Sequence, residues 1–102
     1  MQSSIAIANE GRAMIRLQGR FDFNAHRDLR ATIDATVDNP QVTEVKVDLG
    51  EVDYLDSSAL GMLLILRDKT QAAGKTMGLI NCRGSVRQVL DIASFDKLFA
   101  ID

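Results

Sequence analysis

Tryptophan is absent, and tyrosine, proline, histidine and cysteine each occur once. With Cys82 as the only cysteine, an internal disulfide is excluded, and the fold must rest on its core, as in a reducing compartment. His26 has no cysteine or second histidine near it in the chain, so the usual zinc ligand sets are not assembled around it. The longest unbroken apolar run covers residues 62–66, far below the ~20 residues that cross a bilayer as a helix. The opening Met1-Gln2-Ser3-Ser4-Ile5 has neither a positive charge nor a long apolar stretch, which speaks against a signal peptide. Positive charge is not in excess either: 12 Lys and Arg against 14 Asp and Glu leave a net charge of -2. A basic footprint for nucleic acid or anionic lipid is thereby excluded. The expectation is a cytoplasmic protein with neither nucleic acid nor membrane among its partners.

What is present is globular material. Of 102 residues, 46% are apolar and 25% charged, enough for one core but not two, so a single domain over residues 1–102 is expected. Residues 4–8 alternate as a strand, Gly11-Arg12 offers a turn, and residues 13–18 read as a second strand closing a hairpin. Ile15 and Leu17 face away from Met14 and Arg16, or the strand is buried on both faces apart from Arg16. Residues 19–22 form a loop into a helix that Asp22 or Asn24 caps. In that helix Ala25, Leu29, Ile33 and Val37 make one apolar stripe, Arg27, Arg30, Asp34 and Asp38 the wet side, and Asn39-Pro40 the stop. A strand over residues 45–49, a second helix ending near Gly74, and a strand over residues 76–81 follow. Ser85 and Gln88, at capping-box spacing, open a third helix buried through Val86, Val89, Leu90 and Ala93, and residues 98–101 close the chain as a short strand. Strands alternating with helices imply right-handed crossovers. The fold class is α/β: a mixed, mostly parallel sheet of four to five strands in the order β-β-α-β-α-β-α-β, with helices mainly on one face.

Residues 52–61, Val-Asp-Tyr-Leu-Asp-Ser-Ser-Ala-Leu-Gly, join the central strand to the second helix. Asp56, Ser57 and Ser58 are residue types that accept hydrogen bonds from the free amides of a first helical turn. Hydroxyls at a helix start, beyond the carboxyl end of a strand, lie on the rim where α/β sheets bind things. Stepping about 100° per residue, Gly61, Leu64 and Asp68 fall within about 40° of Ser57. Ala59, Met62, Leu63, Leu66 and Ala73 cluster opposite and read as core. The first group is a surface stripe suited to docking another protein, although Leu64 and Ile65 can equally pack under a neighbouring helix.

Asp56-Ser57-Ser58-Ala59-Leu60-Gly61, preceded by Leu49 and Tyr54-Leu55, closely resembles the signature of the STAS domain, named for sulfate transporters and anti-sigma factor antagonists. The resemblance extends through residues 17–22, 79–81, 86–90 and 95–99, essentially the whole chain. It departs at Ala59, where the family often has glycine, a change that raises helix propensity. The resemblance implies the element order given above and, in the antagonist branch, a stand-alone switch. There the first serine after the aspartate, here Ser57, is the phosphoacceptor. A cytoplasmic serine kinase that doubles as anti-sigma factor binds the unmodified domain and phosphorylates it, and a metal-dependent serine phosphatase reverses the step. Asp22 matches an acidic position neighbouring the phosphoacceptor. Together with Asp56, Ser58, Gly61, Leu64 and Asp68 it makes the expected contact set, with Asp53 adding charge nearby. No cofactor is implied, and a monomer is expected. A different reading makes the chain a structural subunit of a larger assembly, such as a lipid-transport ATPase.

Enzymatic readings find little support. Gly74-Lys75-Thr76 echoes the end of a phosphate-binding loop, but Lys69 stands where that loop needs glycine, and a strand follows instead of a helix. A Gly-x-Ser-x-Gly nucleophile elbow is also missing. The expectation is a binding protein, not an enzyme.

Overall fold

Alternating apolar residues build a central sheet in the computed structural model, which describes residues 2–7 and 10–101. Its strands are β1 (Gln2–Ile7), β2 (Arg12–Phe21), β3 (Glu44–Leu55), β4 (Thr76–Ile80) and β5 (Ala100–Ile101). Between them run α1 (His26–Val37), α2 (Ser57–Ala72) and α3 (Gly84–Ile92), with single 3-10 turns at Phe23–Ala25 and Phe95–Lys97. β1 pairs antiparallel with β2, and the other pairs are parallel, in the spatial order β1-β2-β3-β4-β5. The three parallel crossovers all step the same way across the sheet, so right-handed connections put all three helices on one face.

The strand residues sort accordingly. Ala13, Ile15 and Leu17 of β2, Val45, Val47 and Leu49 of β3 and Leu79 of β4 are buried beneath the helices. The opposite face carries Arg12, Arg16, Glu44, Lys46 and Asp48, joined by ion pairs Arg12–Glu44 (3.7 Å), Lys46–Glu44 (3.3 Å) and Arg16–Asp48 (3.6 Å). α1 contributes Leu29, Ile33 and Thr36 to the core, and α3 contributes Val86 and Leu90.

Several boundaries differ from the sequence expectation, each for a local reason. β2 and β3 continue to Phe21 and Leu55, past residues 18 and 49, because register shifts around Gln18 and Gly19 keep the two strands paired. Gly19 takes φ +94° there, in a strand instead of a loop. β4 stops at Ile80 because Asn81 turns into the left-handed region, at φ 58°. The capping box at Ser85 does not form: α3 begins at Gly84, Arg83 occupies the cap position without a side-chain hydrogen bond, and Ser85 is already inside the helix. β5 is confined to Ala100–Ile101 after the preceding 3-10 turn. Residue 8, the end expected for the first strand, lies outside the described residues.

Candidate functional site

The end of β3 and the start of α2 meet the end of β2 through one backbone bond, from the Asp56 amide to the Phe21 carbonyl at 3.3 Å. Asp56 is extended (φ -112°, ψ -176°) and is the N-cap of α2. Its Oδ1 accepts from the Ala59 amide at 3.0 Å and from the Ser58 hydroxyl at 2.7 Å. These donors, the Ser58 hydroxyl first, hold the Asp56 carboxyl below the usual aspartate range. Of the three residues whose types suit capping, Asp56 alone does it. Ser58 is half-buried and tied to that carboxylate, whereas Ser57, at the first helical position, is exposed. Among the described residues its hydroxyl makes no hydrogen bond.

The capping charge has a pH signature. The folded-state pKa lies below the ordinary 3.8, so the charge stabilises the fold fully above that value and the contribution fades as pH falls through the folded pKa. Asp56→Asn, followed by thermal melting, is expected to melt below the native chain near neutral pH, the gap closing as pH drops beneath about 4. A gap that stayed constant into acid would refute the charge assignment.

Asp22 is placed beside this cap, but it does not cap α1. Its Oδ1 accepts from the Asn24 amide at 3.0 Å, closing the 3-10 turn, and its Oδ2 pairs with Arg20 Nε at 3.1 Å. The Arg20 guanidinium lies 3.8 Å above the centre of the Tyr54 ring, a cation–π geometry. Arg20, Tyr54 and the 71%-exposed Phe23 form part of this rim, and none of them is in the contact set expected from the sequence. Arg20 stands opposite Tyr54 only because of the bulged register between β2 and β3, and strand alternation alone does not carry that signal.

Along α2, Ala59, Met62, Leu63 and Leu66 are buried. Ala73 is not part of this set: it lies past the helix end and is exposed, and the last core position is Thr70, whose hydroxyl donates to the Arg67 carbonyl at 2.8 Å. On the opposite side, apart from its two chain neighbours and the adjoining helix backbone, nothing lies within 4 Å of the Cβ that Gly61 would carry. Asp68 is exposed, Leu64 is half-buried against the core, and the outward aliphatic side chain is Ile65, 46% exposed. Ile65 borders an apolar cleft of about 170 Å³ between α1 and α2, floored by Leu29, Ile33 and Met62. Lys69 bridges the cleft's end to Asp34 at 2.6 Å and holds that carboxyl below its ordinary range.

Among the described residues no three His, Cys, Asp or Glu side chains come together as a metal site, and no helix is long and apolar enough to cross a membrane. An exposed serine that takes no part in the cap thus stands at the head of α2, on the rim of a five-stranded α/β sheet. Residues 5–100 match the family model described as Mlab, STAS domain, and the chain belongs to the STAS-domain family. It is 46% identical over 87 residues to a STAS-domain containing protein of Pseudomonas aeruginosa, covering 85% of this chain and 84% of that one. It is 29% identical over 94 residues to an anti-sigma F factor antagonist of Lysinibacillus sphaericus, covering 91% and 80%. The fold is similar to that of the Bacillus cell fate determinant SpoIIAA in its phosphorylated form, with a TM-score of 0.75, 21% identity, and coverage of 99% and 91%.

Proposed function

We propose that this domain is an anti-sigma factor antagonist, a cytoplasmic binding protein whose docking surface is switched by phosphorylation of Ser57. The unmodified domain binds a serine kinase that is itself the anti-sigma factor, and the kinase transfers a phosphoryl group to Ser57 Oγ. A metal-dependent serine phosphatase restores the hydroxyl. The observation that carries this reading is the division of labour at the helix start. Asp56 does the capping, so the exposed Ser57 hydroxyl is available for modification at little structural cost.

The energetics support a switch in binding rather than in folding. Phosphorylation adds about -1.5 to -2 charge beside Asp56 and Asp53, which is unfavourable. The amino end of α2 offsets part of that repulsion, by about 0.3–1 kcal/mol for an exposed charge. Against a docked partner the same dianion must be desolvated at the interface, where like charges or apolar contacts cost several kcal/mol. The contact set is then Ser57 with Asp22, Asp56, Ser58, Gly61, Leu64 and Asp68. Asp22 and Asp56 act mainly by holding the rim in shape. The antagonist names of the more distant relatives agree with this reading.

The test is intact-mass measurement and phosphosite mapping of protein recovered from its native cells, beside a phosphatase-treated sample and Ser57→Ala. The expected result is one phosphate on Ser57, removed by the phosphatase and absent from the variant. A chain never modified under any growth condition, and held instead in a stable assembly, would favour the subunit reading.

A further inference from the structure

Among the described residues strand β1 has a neighbour on one side only. Its six residues pair with β2 from Gln2↔Gln18 to Ile7↔Ala13 without a register shift, and none is charged or proline. The outer row of N–H and C=O groups is therefore a straight template for another strand. Single-chain domains blunt such edges with charge, proline or bulges, and the opposite edge here is blunted by length, since β5 has two residues. The register puts Ile5 and Ile7 on the helix-bearing face opposite Ile15 and Ala13, yet they remain 38% and 48% exposed. α1 reaches over that face as far as Ser3, whose hydroxyl lies 2.8 Å from that of Thr32. Beside Thr32, and one turn farther along, α1 presents Ala31 and Ala35, both exposed.

We infer that β1 is the interface of a homodimer, in which two copies pair β1 with β1 antiparallel about a two-fold axis through Ile5. The two five-stranded sheets then become one continuous sheet. In this register Ile5 faces Ile5, Ser3 faces Ile7 and Ser4 faces Ala6. No like charges stand opposite one another, the arrangement that destabilises cross-strand pairs. That neutrality argues for a second copy over a foreign strand, because an isologous contact requires only that a surface fit its own image. Ala31 and Ala35 have side chains short enough for the two α1 helices to close over the new strand pair, covering the exposed isoleucines. The dimer replaces the monomer expected from the sequence. It does not rest on the Ser57 switch, which sits on α2, beyond β2 from this edge.

Sedimentation equilibrium on the purified chain tests it. The average mass is expected to rise from 11.2 kDa toward twice that value over a concentration series from about 5 to about 500 µM, as mass action requires. Ile5→Lys puts a charge on the axis, while the lysine stem can lie over the surface the isoleucine covered. It is expected to stay at the single-chain mass with an unchanged circular dichroism spectrum. Ala31→Arg, which leaves the strand untouched, is expected to raise the dissociation constant at least tenfold, and it carries the test if Ile5→Lys fails to fold. Ser57→Glu is expected to dimerise like the native chain, which keeps this result separate from the switch. A native chain that stays at 11.2 kDa throughout the series overturns the inference, as does undiminished dimerisation of a folded Ile5→Lys or of Ala31→Arg.

Discussion

Gly61→Arg is expected to weaken binding to the anti-sigma factor by about 100-fold or more, equivalent to about 2.7 kcal/mol, without lowering the melting temperature of the free domain. Glycine inside a helix is a liability of roughly 0.5–1 kcal/mol relative to alanine. In most helices a glycine is excused by a close neighbour or a left-handed backbone. Gly61 has neither, since its missing Cβ would meet open space and its φ is not positive. What the glycine supplies is a flat strip of backbone one turn beyond Ser57, on the side proposed above to meet the partner. Gly61→Ala therefore serves as the matched control and should stabilise the free domain by about 0.5–1 kcal/mol with little effect on binding. Isothermal titration and thermal melting on the three proteins separate the two effects. Undiminished binding by Gly61→Arg would remove the stripe from the interface.

Leu63→Ala acts from the other side of the same helix. Leu63 is fully buried, and truncating such a leucine costs about 2–5 kcal/mol through lost apolar burial and the cavity left behind. Measured against the ~5–15 kcal/mol total stability of an ordinary domain, that is a large fraction. Chemical denaturation should show a markedly lower midpoint with an unchanged slope. The rim serine is held in place by this packing, because most of a helix's stability in a protein comes from packing of its apolar face. Partner binding by Leu63→Ala should therefore fall in step with the folded fraction, unlike that of Gly61→Arg. A loss below 1 kcal/mol would mean that α2 is anchored elsewhere.

The two variants also mark how far the chain could be read in advance. The exposure of Ala73 past the helix end and the inward packing of Leu64 do not follow from a 3.6-residue period, whereas the buried face of α2 through Ala59, Met62, Leu63 and Leu66 does and needed no coordinates. The same holds for the stripes of α1 and α3, the hairpin at Gly11 and the element order. Ser57 was singled out by the resemblance of Asp-Ser-Ser-Ala-Leu-Gly to the STAS signature, since Asp-Ser-Ser between a strand pattern and a helix pattern by itself marks only a helix cap. Which of those three residues caps the helix was not legible, since all three types can do so. The choice fell to Asp56 when its extended backbone aimed its carboxylate at the Ala59 amide.

Local chemistry by itself thus determined the elements and the faces of the helices, because propensity and periodicity act over a few residues and are written directly in the chain. Only the tertiary structure decided the features that depend on register between distant segments. The bulged pairing carries β2 and β3 on to Phe21 and Leu55, and with it Arg20 comes to rest over Tyr54. The side-chain cap at Ser85 was lost as α3 began two residues earlier, with Arg83 in the cap position. β1 lies at an edge of the sheet among the described residues, a place set by the antiparallel pairing of β1 with β2 and the parallel pairing of β2 with β3. Contacts of this kind join residues dozens of positions apart, and their geometry is settled by how the sheet twists and the core fills.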